Sequence, residues 1–80
     1  MTIAEAIAKR IDEFLYKRGM TLYRLAKNSG LPISTLQNLY TGHTKSPTVS
    51  VLYKVCAGLE VSVEEFLNSE YFSPAILELD

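Results

Sequence analysis

The 80-residue chain has one cysteine, one histidine and no tryptophan. A lone Cys56 excludes an intramolecular disulfide framework, and a lone His43 leaves no plausible set of metal ligands. With one His, one Cys and no glycine-rich phosphate loop, catalysis has no foothold; neither enzyme activity, a cofactor nor a small-molecule ligand is expected. Apolar stretches run for only a few residues, far below the roughly 18 to 20 that span a bilayer. The first residues also lack a basic region followed by an apolar one, so a cytoplasmic chain with no membrane attachment is expected.

The most informative absence is of one sign of charge. Between Phe14 and Leu59 there is no acidic residue, while Lys17, Arg18, Arg24, Lys27, Lys45 and Lys54 all fall there. Residues 60–80 carry six acids and no base, so the formal net charge is only −1 and the pI about 5.8. A near-neutral total argues against nucleic acid, but the field over one face matters more than the sum. Clustered charge by itself usually marks a solvated face, so a motif beneath it has to carry the reading.

Nearly half the residues are hydrophobic, enough for one small domain with a modest core. Thr2-Ile3-Ala4-Glu5 has the capping-box pattern, and Ile3, Ile7, Ile11, Phe14 and Leu15 recur at helical spacing, with Lys9, Arg10, Asp12 and Glu13 on the opposite side. This predicts helix one over about residues 3–18, stopped by Gly19. Thr21 caps a short helix two, about 22–28, with Leu22, Leu25 and Ala26 inward. Gly30 suits a chain reversal, and Pro32 suits the first turn of helix three, about 32–41. Leu36, Leu39 and Tyr40 form its buried face, and Ile33, Ser34, Gln37, Asn38 and Thr41 its outward face.

His43-Thr44-Lys45-Ser46-Pro47 reads as a loop, and Val49, Leu52, Val55, Cys56 and Leu59 mark helix four, which Gly58 weakens. Ser62-Val63-Glu64-Glu65 repeats the capping box, Glu65 being its partner, and Phe66 and Leu67 anchor a brief helix five. The fold class is therefore all-α, with a domain over 1–70. A tail, 71–80, has a Ser-Pro start signal and enough apolar residues for a further short helix.

Residues 3–68 resemble the lambda-repressor-like helix-turn-helix domain of Cro and xenobiotic-response-element-type transcriptional regulators. The resemblance rests on Ala26 where two helices touch, Gly30 in the turn, Leu36 and Leu39, and Thr41-Gly42-His43-Thr44-Lys45-Ser46-Pro47 after the second helix. Leu52, Val55, Leu59 and Val61-Ser62-Val63 also fall where such domains place them. It implies a compact five-helix domain that binds double-stranded DNA, as a homodimer and as a repressor reading a short operator.

In such domains the second helix of the motif enters the major groove, where every base pair shows a distinct donor and acceptor pattern. Gln37 and Asn38 are then the base readers, because an amide both donates and accepts and so matches the adenine edge. Ile33 would touch a thymine methyl and Ser34 a base or a phosphate. Phosphate contacts would come from Thr21, Tyr23, Lys27, Thr44 and Lys45, and His43 could approach a phosphate from the loop. Dimer contacts would come from helix five or from Tyr71, Phe72, Ile76, Leu77 and Leu79, unless these only cover the domain's own core.

Leu15 and Tyr40 stand where some relatives pair a buried Arg with a Glu, so apolar packing is expected there. Pro32 stands where relatives often carry a capping Ser or Thr, removing one phosphate contact. Cys56 reads as a buried apolar residue rather than a reactive thiol. The alternative function is a protein-interaction module on the same fold, such as a partner-binding or antitoxin-like regulator.

Overall fold

In the computed structural model, which describes residues 1–78, both halves of the first capping box form. The Thr2 hydroxyl accepts from the Glu5 amide (3.1 Å) while the Glu5 carboxylate accepts from the Thr2 amide (2.9 Å). The Thr2 amide, with the Thr2 hydroxyl beside it, holds the Glu5 carboxyl below its ordinary value. Helix α1 (Ile3–Arg18) then runs to Gly19, which takes the left-handed conformation. Four more helices follow: α2 (Leu22–Ser29), α3 (Ile33–Tyr40), α4 (Val49–Leu59) and α5 (Val63–Leu67). Thr21, Thr48 and Ser62 each cap the next helix through the side-chain oxygen. At α5 only this half of the capping box is present; Glu65 contributes its amide. Pro32 lies one residue outside α3, as its N-cap, rather than in the first turn.

The apolar stripes converge on one core. Ile11, Leu25, Leu36, Leu59 and Phe66 are fully buried, and the Phe14 and Phe66 rings stack at 6.0 Å. Burying each such side chain is worth roughly 1.5–3 kcal/mol against exposure. Helix α4 packs most extensively on α2, and α1 braces α3. Gly58 makes the α2–α4 approach possible rather than merely weakening α4. A Cβ there would lie 2.9 Å from Leu25 Cδ1 and 3.0 Å from the Ser29 backbone nitrogen. Val49, one of the apolar residues that mark α4, is 70% exposed in its first turn.

The chain's end folds back onto α1. A 3₁₀ turn, Glu70–Phe72, sets the Phe72 ring 6.4 Å from Phe66, and the Tyr71 hydroxyl donates to Glu13 Oε2 (2.7 Å). Ser73 accepts from the amides of Ile76 and Leu77, the single turn that follows the Ser-Pro signal. The Glu78 amide then donates to the Met1 carbonyl (2.7 Å), in an isolated bridge beside Thr2. Among the described residues there is no strand, and no helix is long and apolar enough to cross a membrane.

Candidate nucleic-acid interface

The α2–turn–α3 unit is held from inside by buried Leu25, Ala26, Leu36 and Leu39. At its corner Gly30 adopts φ 73°, a conformation in which a Cβ is strained, and its amide donates to the Ala26 carbonyl. The Leu31 amide and the Ser29 hydroxyl converge on the same carbonyl, both at 3.2 Å. The turn is thereby closed on the residue at which the two helices touch.

Ser34, Gln37 and Asn38 all stand exposed on α3, three and four residues apart, so they share one face. No residue of α3 is charged. Ile33 departs from the expected outward face: it is half-buried and packs against the core, because at the start of α3 its apolar side chain leans over the preceding turn. Tyr40 departs in the other direction. It is 39% exposed, and its hydroxyl donates to Asp12 Oδ1 at 2.6 Å, which raises the phenol's pKa. A phenol oxygen needs a partner, and the carboxylate of α1 supplies one at the rim, which adds a polar tie between α1 and α3 beside Leu15.

Around that face, Thr21 is exposed but its oxygen accepts from the Arg24 amide (3.1 Å), which makes it first a cap. Tyr23 (70% exposed), Arg24 and Lys27 lie on the solvent side of α2. Beyond α3, Gly42 takes φ 79°, and the amides of His43 and Thr44 both donate to the Asn38 carbonyl, at 2.9 and 3.2 Å. The loop is thus fastened to α3, with Thr44 half-buried and Lys45 exposed. The basic window does not all belong to this surface, since Arg18 donates to the Glu60 carbonyl (3.3 Å) at the α4–α5 junction.

The tail residues considered for dimer contacts are largely engaged within the chain. Phe72 packs on the core, Tyr71 binds Glu13, and Leu77 is half-buried, leaving Ile76 40% exposed; Leu79 lies outside the described residues. Amphipathic spacing near a chain end does not say which surface it covers, and here the nearest is the open side of Phe66.

Arg10, assigned from its spacing to the solvent side of α1, is a structural cap. Its Nε donates to the Phe66 carbonyl and its Nη2 to the Glu65 carbonyl, both at 2.7 Å, while Nη1 pairs with Glu13 (3.0 Å). The guanidinium also lies 4.5 Å from the Phe14 ring. These bonds satisfy the terminal carbonyls of α5, a need that no local pattern near Arg10 reveals. Cys56 is buried, and desolvation pushes its thiol up to about 11, which leaves it inert.

A glycine-cornered helix pair whose second helix presents an uncharged polar face, with exposed bases before and after it in the chain, defines a helix-turn-helix domain. The chain belongs to the Cro/C1-type helix-turn-helix DNA-binding domain family, whose model matches residues 10–70. It is similar to the HTH-type transcriptional regulators SinR of Bacillus licheniformis (33% identical over 64 residues) and Bacillus subtilis strain 168 (31% over 65 residues). These matches cover 80% and 81% of the chain but only 58% and 59% of the relatives, so the chain spans under two thirds of their length. No solved structure gives a significant match.

Proposed function

We propose that this protein binds double-stranded DNA sequence-specifically through the major groove and regulates transcription from a short operator in the cytoplasm, as a homodimer. The observation that carries the reading is the exposure of Ser34, Gln37 and Asn38 on a helix whose opposite side, Leu36 and Leu39, is locked in the core. Such a helix presents amides in fixed positions, and each bidentate base contact is worth about 1–3 kcal/mol of discrimination. Ser34 contacts a base or a phosphate, while Ile33 keeps only its outer edge for a thymine methyl. Tyr23, Lys27, Thr44 and Lys45, with Thr21 secondarily, contact phosphates and set register. Repression is the expected sign, because an occupied operator excludes other proteins from the same DNA.

Selection from a random double-stranded library at two salt concentrations tests this. A short consensus that disappears in the Gln37→Ala, Asn38→Ala variant supports base readout by α3. Retention without a consensus would reduce the activity to backbone affinity. No retention even at low salt would favour a protein-interaction module on the same fold. Sedimentation at several concentrations, with and without the recovered site, measures the dimer.

A further inference from the structure

The loop after α3 contains a proton inventory that restricts what His43 can do. The Thr41 hydroxyl lies 2.8 Å from the Gln37 carbonyl, 3.5 Å from the Asn38 carbonyl and 2.6 Å from His43 Nδ1. A hydroxyl has one proton. If it went to the ring, two oxygens 2.8 Å apart would face each other with no proton between them. The arrangement in which every contact is a hydrogen bond has Thr41 donating to the Gln37 carbonyl and His43 donating from Nδ1 to the Thr41 oxygen. Neutral His43 is therefore held as the Nδ1–H tautomer, and its Nε2 is a lone pair.

A DNA phosphodiester offers only acceptor oxygens, so that lone pair cannot bind it. Once the imidazole is protonated, Nε2 becomes an N–H donor on a cation. Resting on the DNA-binding reading above, the geometry points to His43 as a phosphate contact that exists only in the doubly protonated form. The position supports the role: His43 is exposed, and its own amide is fastened to the Asn38 carbonyl (2.9 Å), one residue beyond Gln37. Helix α3, to which the loop is fastened, carries no charged group, and the loop itself carries Lys45. At the start of α1, Glu5 is engaged with Thr2; Glu78, which lines a cavity with Lys45 and Gly42, pairs with the Met1 amine. Neither ion pair among the described residues includes His43.

The test is the affinity for the selected DNA site at pH 5.5 and pH 8, over a salt series. Wild type is expected to bind about fivefold to tenfold more tightly per subunit at pH 5.5 in 0.1 M salt, with a salt slope steeper by about 0.9. His43→Gln, which cannot ionise, is expected to lose that difference. Thr41→Val frees the neutral ring to carry its proton on Nε2, so its pH difference should shrink; an undiminished difference would overturn the tautomer assignment. Far-UV circular dichroism and Tm confirm that both variants fold. Site binding whose pH dependence survives His43→Gln, or a wild type with none, overturns this contact alone. No DNA binding at either pH overturns the DNA-binding reading and the contact together.

Discussion

Gly58 shows how one missing side chain positions the interface. It lets α4 close against α2, the helix that carries the turn into α3, within a distance that no Cβ tolerates. Leu25 Cδ1 can swing aside, but the Ser29 backbone nitrogen cannot. Gly58→Ala gains helix propensity and still is expected to lose about 1–3 kcal/mol in urea unfolding, because overpacking outweighs the backbone entropy recovered. A stabilised variant would show that α2 and α4 separate freely. At the other end of the motif, the Tyr40–Asp12 bond raises the Tyr40 pKa from its ordinary 10.0. A raised value favours the protonated phenol in the folded state. Its contribution is therefore complete below pH 10.0 and is lost as pH rises beyond it. Tyr40→Phe should remove that alkaline component from a Tm-versus-pH curve and cost under about 1 kcal/mol at neutral pH, since the pair sits at the surface.

Among the elements, α5 depends most on a distant residue. Five residues form too short a helix to stand alone, and its last carbonyls are satisfied by Arg10 of α1. Arg10→Ala is expected to destabilise the protein by about 2–3 kcal/mol, because it unpairs charge-assisted bonds in a largely buried place. Arg10→Lys should recover only part, since one ammonium cannot reproduce the planar fork. Glu13 extends this network. Burial alone raises its pKa, but the hydrogen bonds from Tyr71 and Arg10, with the nearby Arg10 and Lys17 charges, bring it below the ordinary 4.5. A lowered carboxyl contributes stability that is present above pH 4.5 and lost as pH falls through the lowered value. Tyr71→Phe should narrow that acid-sensitive window, as read by Tm between pH 5 and 2.5.

For the whole molecule, charge is segregated by element, with Glu78 alone of the exposed C-terminal acids reaching the cavity that Lys45 lines. Glu60, Glu64, Glu65, Glu70 and Glu78 are all exposed on the C-terminal part, while α2 and the loop after α3 present bases. A chain with net charge −1 can therefore still attract a polyanion along one face. If about four phosphates are neutralised per subunit, log affinity should fall with log salt at a slope of about −3 to −4 per subunit. A slope near zero by fluorescence anisotropy would remove the phosphate contacts from the mechanism.

The amino-acid sequence by itself determined the five helices, the hydroxyl caps of α1, α2 and α5, the glycine corner, most of the core and the polar face of α3. Each of these is written in neighbours three or four residues apart, or in a residue type with one conformational use. Only the tertiary structure decided that Arg10 caps α5, that Gly58 is a contact point, that Ile33 turns inward and Tyr40 outward to Asp12, that Tyr71 binds Glu13 and that Phe72 packs on this domain's own core. Arg10 and Phe66 are 56 residues apart, and Tyr71 and Glu13 are 58 apart. Local periodicity states that a residue has an apolar or polar side, whereas the partner across the fold decides what that side touches.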